Sequence, residues 1–371
     1  MLKRHIAEDY EIIRSTEDEN YLTQITEDGK YLIYKNYDND TYVVGDKDGN
    51  TLYTIDSFDS VIPRAMETDG DVLIDLDTKS FRTFDLETKE EKSFAYDDCI
   101  ESFYSSDGYI TKNKKYALVW SGFSMILADT EKCEPVFILN RPEALDGNSI
   151  LNACVSEDGK YIYISVSKRH VFKIDIENKT MTEYENELLR QSDDARMSKS
   201  IAVSSDGKYL ALGCFDGSVR VFDTVTEEII DEQPLEVGTN GFITFIKNDE
   251  YVLAEGGNFL VKIRDYKEHE NKQSIQLLGM IKSVKEGEGL LAVIASLKSL
   301  VLEDKDFALL ADLSGNNTIY FSIANKAFYL PNSRSTGRIY YKDYKTLIEM
   351  AKKEFAGAVL SKEERNAYNL D

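Results

Sequence analysis

Few residues of this sequence stand at spacings that support catalysis. The chain has three histidines, His5, His170 and His269, and none is accompanied by an obvious serine or cysteine nucleophile in the adjacent sequence. None of the patterns G-x-x-x-x-G-K-[ST], G-x-G-x-x-G, H-E-x-x-H or G-x-S-x-G occurs. His170 follows two basic residues at the entry of a strand-like segment, which is typical of a surface or packing residue. The sequence therefore predicts no catalytic residues.

One segment, 46–50, has the oxygen-rich composition of a calcium loop. An EF-hand loop needs glycine at its sixth position and a distal bidentate glutamate, and neither falls in place here. The segment lies between two predicted strands, Tyr42–Val44 and Thr51–Ile55, so a hairpin turn explains it. We expect no metal and no cofactor.

The composition bounds the class of protein and of partner. The 371 residues include 44 basic and 67 acidic side chains, which gives a formal net charge of −23. Such a charge disfavours nucleic acid and anionic membrane as partners. No early segment has the pattern of a secretory signal, and no apolar run approaches the ~20 residues that cross a bilayer. The four cysteines form no C-x-x-C pair, so we expect reduced thiols and a cytoplasmic location.

A short phrase recurs along the chain, in which a turn rich in Asp, Gly and Lys precedes an apolar strand. The clearest copies are 26–34, 156–165 and 204–213, and the weaker copies are 67–75, 111–120, 246–256, 285–295 and 322–331. Neighbouring copies start about 37–48 residues apart, which is the period of a four-stranded propeller blade. Eight copies predict eight blades, with seven as the alternative if the last unit is a closing addition.

The fifth unit shows the strand pattern within one copy. Ile201–Val203 leads into a turn at Ser205–Lys208, and the strand Tyr209–Gly213 follows. A second Asp-Gly turn precedes the alternating strand Ser218–Asp223, and a fourth strand lies around 229–230. Asp-Gly permits the positive φ of a tight hairpin, and alternation with period two indicates a half-buried strand.

This unit resembles a WD repeat where DGSVRVFD (216–223) stands, with Phe222 in place of the usual Trp. Similar endings occur at 82–88, 172–178 and 261–267, while the family's Gly-His pair is absent from every unit. The resemblance implies an all-β, WD-repeat-like β-propeller of four-stranded blades over residues 1–343. Because propellers close their ring with strands from both termini, we expect a strand at about 11–14 to join the final unit, 318–342.

The carboxyl-terminal segment 344–371 changes character. Apolar residues recur at helical spacing over 344–355, and 361–364 has the pattern of a capping box, so we expect a short helical tail packed on the rim. The tail is similar to the ending of WD-repeat sensor regions in bacterial STAND-type signalling proteins. The matching residues are Leu347, Ile348, Ala351, Leu360, Ser361, Glu363, Glu364, Arg365 and Tyr368. That resemblance implies a sensor propeller whose effector or NTPase is a partner chain or a missing domain.

The loops assigned to one face of the propeller contain most of the candidate binding residues. Two inter-blade loops, 140–149 and 185–196, are long, and the second contains two adjacent leucines. Arginine beside apolar residues is typical of interface hot spots and can hold carboxylate or phosphate through two hydrogen bonds. We therefore expect a protein partner, or an acidic or phosphorylated peptide, to bind Arg64, Arg141, Leu145, Arg169, Leu188, Leu189, Arg190, Arg196, Phe215 and Arg334.

Two functions from different classes follow from these observations. The first is a non-enzymatic scaffold or sensor propeller that recognises a protein, as the recognition module of a bacterial signalling or defence system. The alternative is a metal-dependent hydrolase whose site lies in the central channel, where several carboxylates and asparagines would have to converge. With 67 acidic residues, the sequence leaves that arrangement open.

The long loop offers a direct test of the predicted arginine and leucine site. Deletion of Glu187–Arg190 is expected to abolish partner binding because it removes both leucines and one arginine of the site. The melting temperature should change little, since the deleted residues connect two blades. Retained affinity in a binding assay with the captured partner would contradict the prediction.

Overall fold

The fold is an eight-bladed β-propeller, in agreement with the prediction of eight units. A computed structural model describes residues 11–15, 20–56, 65–167, 170–184, 200–214, 217–235, 241–314, 320–322, 324–332 and 335–340. Their strands form eight separate antiparallel sheets of four strands each. Among these residues the helical segments are the short 3₁₀ turns Tyr96–Asp98, Glu143–Leu145 and Gly257–Phe259.

The blades follow one another along the chain. Blade 1 consists of β2 (Asn20–Ile25), β3 (Tyr31–Asn36), β4 (Thr41–Asp46) and β5 (Thr51–Asp56). Blade 2 consists of β6 (Ala65–Asp69), β7 (Val72–Leu76), β8 (Ser80–Asp85) and β9 (Glu91–Ala95). Blade 3 consists of β10 (Asp107–Ile110), β11 (Tyr116–Trp120), β12 (Ser124–Asp129) and β13 (Glu134–Asn140). Blade 4 consists of β14 (Ile150–Val155), β15 (Tyr161–Val166), β16 (Val171–Asp175) and β17 (Thr180–Glu183).

The second half of the ring repeats this arrangement. Blade 5 consists of β18 (Ile201–Val203), β19 (Tyr209–Gly213), β20 (Ser218–Asp223) and β21 (Ile229–Pro234). Blade 6 consists of β22 (Phe242–Ile246), β23 (Tyr251–Glu255), β24 (Leu260–Asp265) and β25 (Glu270–Gln276). Blade 7 consists of β26 (Ile281–Gly287), β27 (Leu290–Ala295), β28 (Lys298–Glu303) and β29 (Leu309–Ser314). Blade 8 consists of β30 (Tyr320–Ser322), β31 (Ala327–Asn332), β32 (Ser335–Tyr340) and β1 (Glu11–Ser15).

The antiparallel order of the strands gives the ring two different faces. Because consecutive strands run in opposite directions, the connections between them alternate between the two ends of each blade. One end, which we call the loop face, carries the segments between blades and the turns between second and third strands. The other end, the turn face, carries the turns between first and second strands and between third and fourth strands.

The hydrophobic core is divided among the contacts between blades. First strands of neighbouring blades contact one another around the central channel, whereas a fourth strand such as β13 exposes alternate residues at the rim. Buried apolar side chains form eight clusters, each between two neighbouring blades. Leu118 and Ile162, for example, meet between blades 3 and 4. Every blade therefore depends on both neighbours for the burial of its two faces.

A hydroxyl side chain organises the turn between first and second strands in four blades. The hydroxyl accepts a hydrogen bond from the backbone N–H five residues later and donates one to a carboxylate or amide oxygen two residues later. In blade 5, Ser204 Oγ accepts from Tyr209 N (2.9 Å) and donates to Asp206 Oδ1 (2.7 Å). Thr26, Thr111 and Ser156 make the equivalent pairs of bonds in blades 1, 3 and 4. The recurring sequence phrase is therefore a turn that stabilises itself locally.

An aspartate organises the turn between third and fourth strands in the same way. Asp85 Oδ1 accepts hydrogen bonds from the backbone N–H groups of Thr88 (2.7 Å) and Glu87 (2.9 Å). These bonds stabilise the carboxylate and lower the pKa of Asp85. Asp46 likewise accepts from the backbone of Asp48 and Asn50 at 2.9 and 2.8 Å, so the oxygen-rich segment is a hairpin turn, as predicted.

The ring is closed by the amino-terminal strand. β1 pairs antiparallel with β32, so blade 8 contains strands from both ends of the described chain, where the sequence predicts them. The Arg14 guanidinium donates to the Gly49 carbonyl (2.9 Å) and lies 4.4 Å from the centroid of the Tyr34 ring. Both partners belong to blade 1, so β1 also holds blade 8 against blade 1.

Two further expectations concern helices, namely those of the carboxyl-terminal tail and those that could span a membrane. The carboxyl-terminal tail 344–371 lies outside the described residues, so its helices stay a prediction. Within the described part of the chain, no helix has the length and apolar character needed to span a membrane.

Two glycines allow the packing between turns to be tested. Gly159 and Gly70 both have positive φ, at 71° and 54°. A Cβ on Gly159 would lie 2.4 Å from Tyr116 Cζ in the neighbouring blade, whereas a Cβ on Gly70 would meet nothing within 4 Å. Both alanine variants incur the left-handed backbone penalty of about 1 kcal/mol, but only Gly159→Ala adds a steric overlap.

We expect Gly159→Ala to lower the free energy of unfolding by roughly 2–4 kcal/mol and Gly70→Ala by only about 1 kcal/mol. Denaturant unfolding of the two variants beside the wild type measures this difference. Equal losses would show that the turn of blade 4 does not pack on Tyr116 as described.

Candidate binding face

Most of the binding residues predicted from the sequence fall outside the described part of the chain. Arg141 is described, and it lies exposed on the loop face between blades 3 and 4, where its backbone N–H donates to the Phe123 carbonyl (3.1 Å). The residues that lie outside the described ranges are Arg64, Arg169, Leu188, Leu189, Arg190, Arg196, Phe215 and Arg334. The arginine and leucine site therefore stays a prediction at these eight positions.

Leu145, which the sequence analysis predicts to bind a partner, is buried in the structure. It ends the 3₁₀ turn Glu143–Leu145 and is only 2% exposed. Its side chain belongs to the apolar cluster that joins blades 3 and 4, together with Trp120 and Ile150. The loop folds back over the core, so Leu145 packs the blades rather than contacting a partner.

Exposed apolar side chains are concentrated on the loop face instead. Among the described residues, fifteen large apolar side chains are exposed, and seven of them lie on outer strands, at the end of β32 or in one turn of the turn face. The turns between first and second strands expose none among these residues. The remaining eight lie on the loop face: Tyr21, Tyr37, Tyr104, Phe123, Phe259, Leu278, Met280 and Leu297.

These eight residues occur in two sectors of the loop face. In blades 1–3, Tyr21 and Tyr37 stack edge to face at 5.4 Å, and the Lys79 ammonium lies 5.4 Å from the Tyr104 ring centroid. In blades 6 and 7, Phe259, Leu278, Met280 and Leu297 form the second group. Aromatic and apolar side chains on an exposed face are typical anchors of protein interfaces.

The turn face has the opposite character, since charged side chains bridge the central channel there. Lys285 of blade 7 lies 2.6 Å from Glu67 Oε2 of blade 2, and Lys114 of blade 3 lies 3.3 Å from the same oxygen. Burial acts to raise the pKa of Glu67, but the ammonium groups of Lys285 and Lys114 outweigh it and lower that pKa.

A second bridge runs beside the first. Lys112 of blade 3 donates to the Phe245 carbonyl of blade 6 and lies 3.4 Å from Glu286 Oε1 of blade 7. Blades 2 and 3 face blades 6 and 7 across the ring. Glu67 and Glu286 are therefore already paired with the protein's own cations.

The described histidines are also paired. His170 lies 2.5 Å from Glu183 in blade 4, and His269 lies 2.8 Å from Asp231, which Arg264 also contacts. Neither described histidine has a serine or cysteine nucleophile among its hydrogen-bond partners. Within the described ranges, no three His, Cys, Asp or Glu side chains are grouped in a way that would hold a metal ion.

The sequence did not point to the apolar residues of blades 6 and 7. Phe259, Leu278 and Met280 lie beside apolar residues that are buried, such as Val261 and Leu277. The residue type therefore does not show which of them is exposed, because exposure depends on how each loop packs on the blades. One local signal was present: the segments 256–262, 276–282 and 296–298 contain no aspartate or glutamate in a chain of charge −23.

Comparison with known proteins shows the fold of this protein but does not show its family or its function. No protein-family model matches the sequence, and no curated protein matches it. Many solved structures do resemble it. One is the crystal structure of the computationally designed Ika8 protein, which has a TM-score of 0.64 and 12% sequence identity, and the match covers 89% of this chain and 99% of that chain. At that identity the similarity shows a shared propeller fold alone.

The bridge across the channel predicts a measurable coupling. A double-mutant cycle of Glu67→Ala and Lys285→Ala should give a coupling free energy of about 1–3 kcal/mol at pH 7, because both side chains are largely shielded from water. The pair Lys30–Asp71 on the surface serves as a control and should give a much smaller coupling, because water screens the exposed ammonium.

The same cycle has a defined pH dependence. Because the pKa of Glu67 is lowered in the folded state, the bridge stabilises the fold fully above the unfolded pKa of about 4.3. The coupling should decline as the pH falls below that value through the lower folded pKa. A coupling that is absent at pH 7, or that grows on acidification, would contradict the bridge.

Proposed function

We propose that this protein is a non-enzymatic, protein-binding scaffold that holds its partner on the loop face. One observation carries the proposal: among the described residues, eight of the fifteen exposed large apolar side chains lie on that face, while the turn face exposes two, Val225 and Tyr340, at the ends of third strands. Exposed apolar residues grouped on one face mark interaction surfaces, whereas scattered ones need no explanation.

The alternative, a metal-dependent hydrolase in the central channel, has weaker support. Such an enzyme needs carboxylates that are free to bind the metal. Glu67 and Glu286 are the acidic residues of the two bridges, and both already form ion pairs with lysines of other blades. This pairing favours the scaffold proposal.

The finer function that we propose is a sensor propeller of WD-repeat type in a cytoplasmic bacterial signalling or defence system. Two observations support the WD-repeat part: the four-stranded blades, and the aspartates such as Asp85 and Asp223 that end third strands and cap the next turn. The sensor part depends on the resemblance of the tail 344–371, and its partner would be a separate effector or NTPase chain.

Capture of partners with two matched variants tests the scaffold proposal. A loop-face variant carries Tyr104→Ser, Phe259→Ser and Met280→Ser, and a control variant carries three serines at exposed apolar positions elsewhere, namely Leu52, Val225 and Leu309. We expect the wild type and the control to capture the same protein from the native host and the loop-face variant to capture at least about tenfold less.

Circular dichroism and thermal melting of all three proteins show whether the substitutions leave the fold intact. Capture by the loop-face variant at the wild-type level, with loss in the control, would reject the loop face. A full equivalent of bound metal together with hydrolytic activity would favour the channel enzyme instead.

A further inference from the structure

Four exposed residues of blades 6 and 7 lie on neighbouring segments of the loop face, and we call them the sector patch. Phe259, Leu278, Met280 and Leu297 are 40%, 54%, 54% and 44% exposed. At those exposures they present on the order of 300–400 Å² of apolar surface, a size at which patches on monomers are often functional.

Backbone contacts hold the three segments of the sector patch together. The Leu277 N–H donates to the Phe259 carbonyl (3.0 Å), which joins the second turn of blade 6 to the segment that leads into blade 7. The Ser296 N–H donates to the Met280 carbonyl (3.0 Å), and the Cβ position of Gly279 lies 3.5 Å from Leu297 Cγ. The backbone segments that carry the four side chains are therefore held together by hydrogen bonds.

The backbone at Phe259 adopts a conformation that residues with side chains rarely adopt. Asn258 and Phe259 have φ of 59° and 61°, a left-handed conformation that is unfavourable for an aromatic residue. Gln276 Nε2 donates to the Asn258 carbonyl, and Leu277 N–H holds the next carbonyl, so neighbouring groups maintain this conformation. Strain maintained in this way is typical of functional positions.

The charge around the sector patch differs from the charge of the rest of the molecule. Its segments 256–262, 276–282 and 296–298 contain three lysines, Lys262, Lys282 and Lys298, and no acidic residue. Lys282 is exposed, and Lys298 pairs with Asp312 at 3.0 Å on the outermost strand of blade 7. The adjacent acidic residue, Glu255, is buried, and one of its oxygens accepts from the Ile281 N–H (3.1 Å).

The loops of blades 2–4 on the same face carry the opposite charge. Their exposed acidic residues are Asp97, Asp98, Glu101, Asp107, Glu143 and Asp146. A basic partner would therefore be drawn to blades 2–4, and an acidic partner would be repelled from most of a molecule of charge −23.

We propose that the sector patch binds an acidic, amphipathic segment of a protein partner. Leucine, isoleucine or phenylalanine side chains of that segment pack on Phe259, Leu278, Met280 and Leu297, and its aspartates or glutamates face the exposed Lys282. The inference rests on the proposed scaffold function and specifies its partner. It also differs from the arginine site predicted from the sequence, because none of its residues belongs to that set.

Selection of peptides from a random 12-residue displayed library on the full chain tests this inference. We expect the enriched peptides to combine at least two large apolar residues with three or more aspartates or glutamates. Fluorescence anisotropy of one such synthetic peptide should show at least about tenfold weaker binding to Met280→Ser and to Lys282→Glu. The control Lys160→Glu reverses an exposed lysine of the turn face and should bind as the wild type does.

Several outcomes would overturn the inference. They are enrichment of neutral or basic peptides, no enrichment of any sequence, and binding that neither Met280→Ser nor Lys282→Glu weakens. Capture of the native partner by single variants distinguishes this inference from the scaffold proposal. Loss of that partner with Tyr104→Ser alone, and retention with Met280→Ser, would keep the loop face but reject the sector patch. Retention with both substitutions would reject both.

Discussion

Each blade of this protein can bury its two apolar faces only against its neighbours, so the whole fold depends on the ring being closed. The pairing of β1 with β32 meets this requirement, because it brings the two ends of the sheet sequence into one blade. Arg14 adds a contact from that strand to blade 1 through the Gly49 carbonyl and the Tyr34 ring. Without this closure the apolar cluster between blades 8 and 1 would face water.

Closure also creates the two chemically different faces. On the turn face the polar groups are used internally: hydroxyls and aspartates cap their own turns, and lysines of blades 3 and 7 bridge the channel to glutamates of other blades. On the loop face the connections vary in length and composition, and there the apolar side chains stay exposed. The two faces therefore differ in what they expose: polar groups paired within the protein on the turn face, and apolar side chains on the loop face.

The sequence predicted the fold well because the signals of a blade are local. The repeating turn phrase and the Asp at the end of third strands depend on neighbours within a few residues, and the structure contains both. The strand Glu11–Ser15 pairs with the distant β32, and it was predicted because a propeller must close its ring. The ion pair between Glu67 and Lys285 joins residues 218 positions apart, so no local pattern reveals it.

The exposure of individual loop residues was harder to predict, for the same physical reason. Leu145 and Leu278 are both leucines in inter-blade segments, but one fills the core between blades 3 and 4 and the other is exposed. Loop depth decides between these outcomes, and it follows from packing in three dimensions. Charge carried more information than hydrophobicity, since the acid-free segments around Met280 stand out in so acidic a chain.

The most direct measurement is amine cross-linking of the complex captured from the native host, followed by mass spectrometry of the linked peptides. The loop face carries Lys79 and Lys282, and the turn face carries Lys30, Lys160 and Lys208. We expect the partner to be linked to Lys79 or Lys282 and the three turn-face lysines to remain unlinked to it. Links to Lys30, Lys160 or Lys208 without links to the loop face would contradict this expectation.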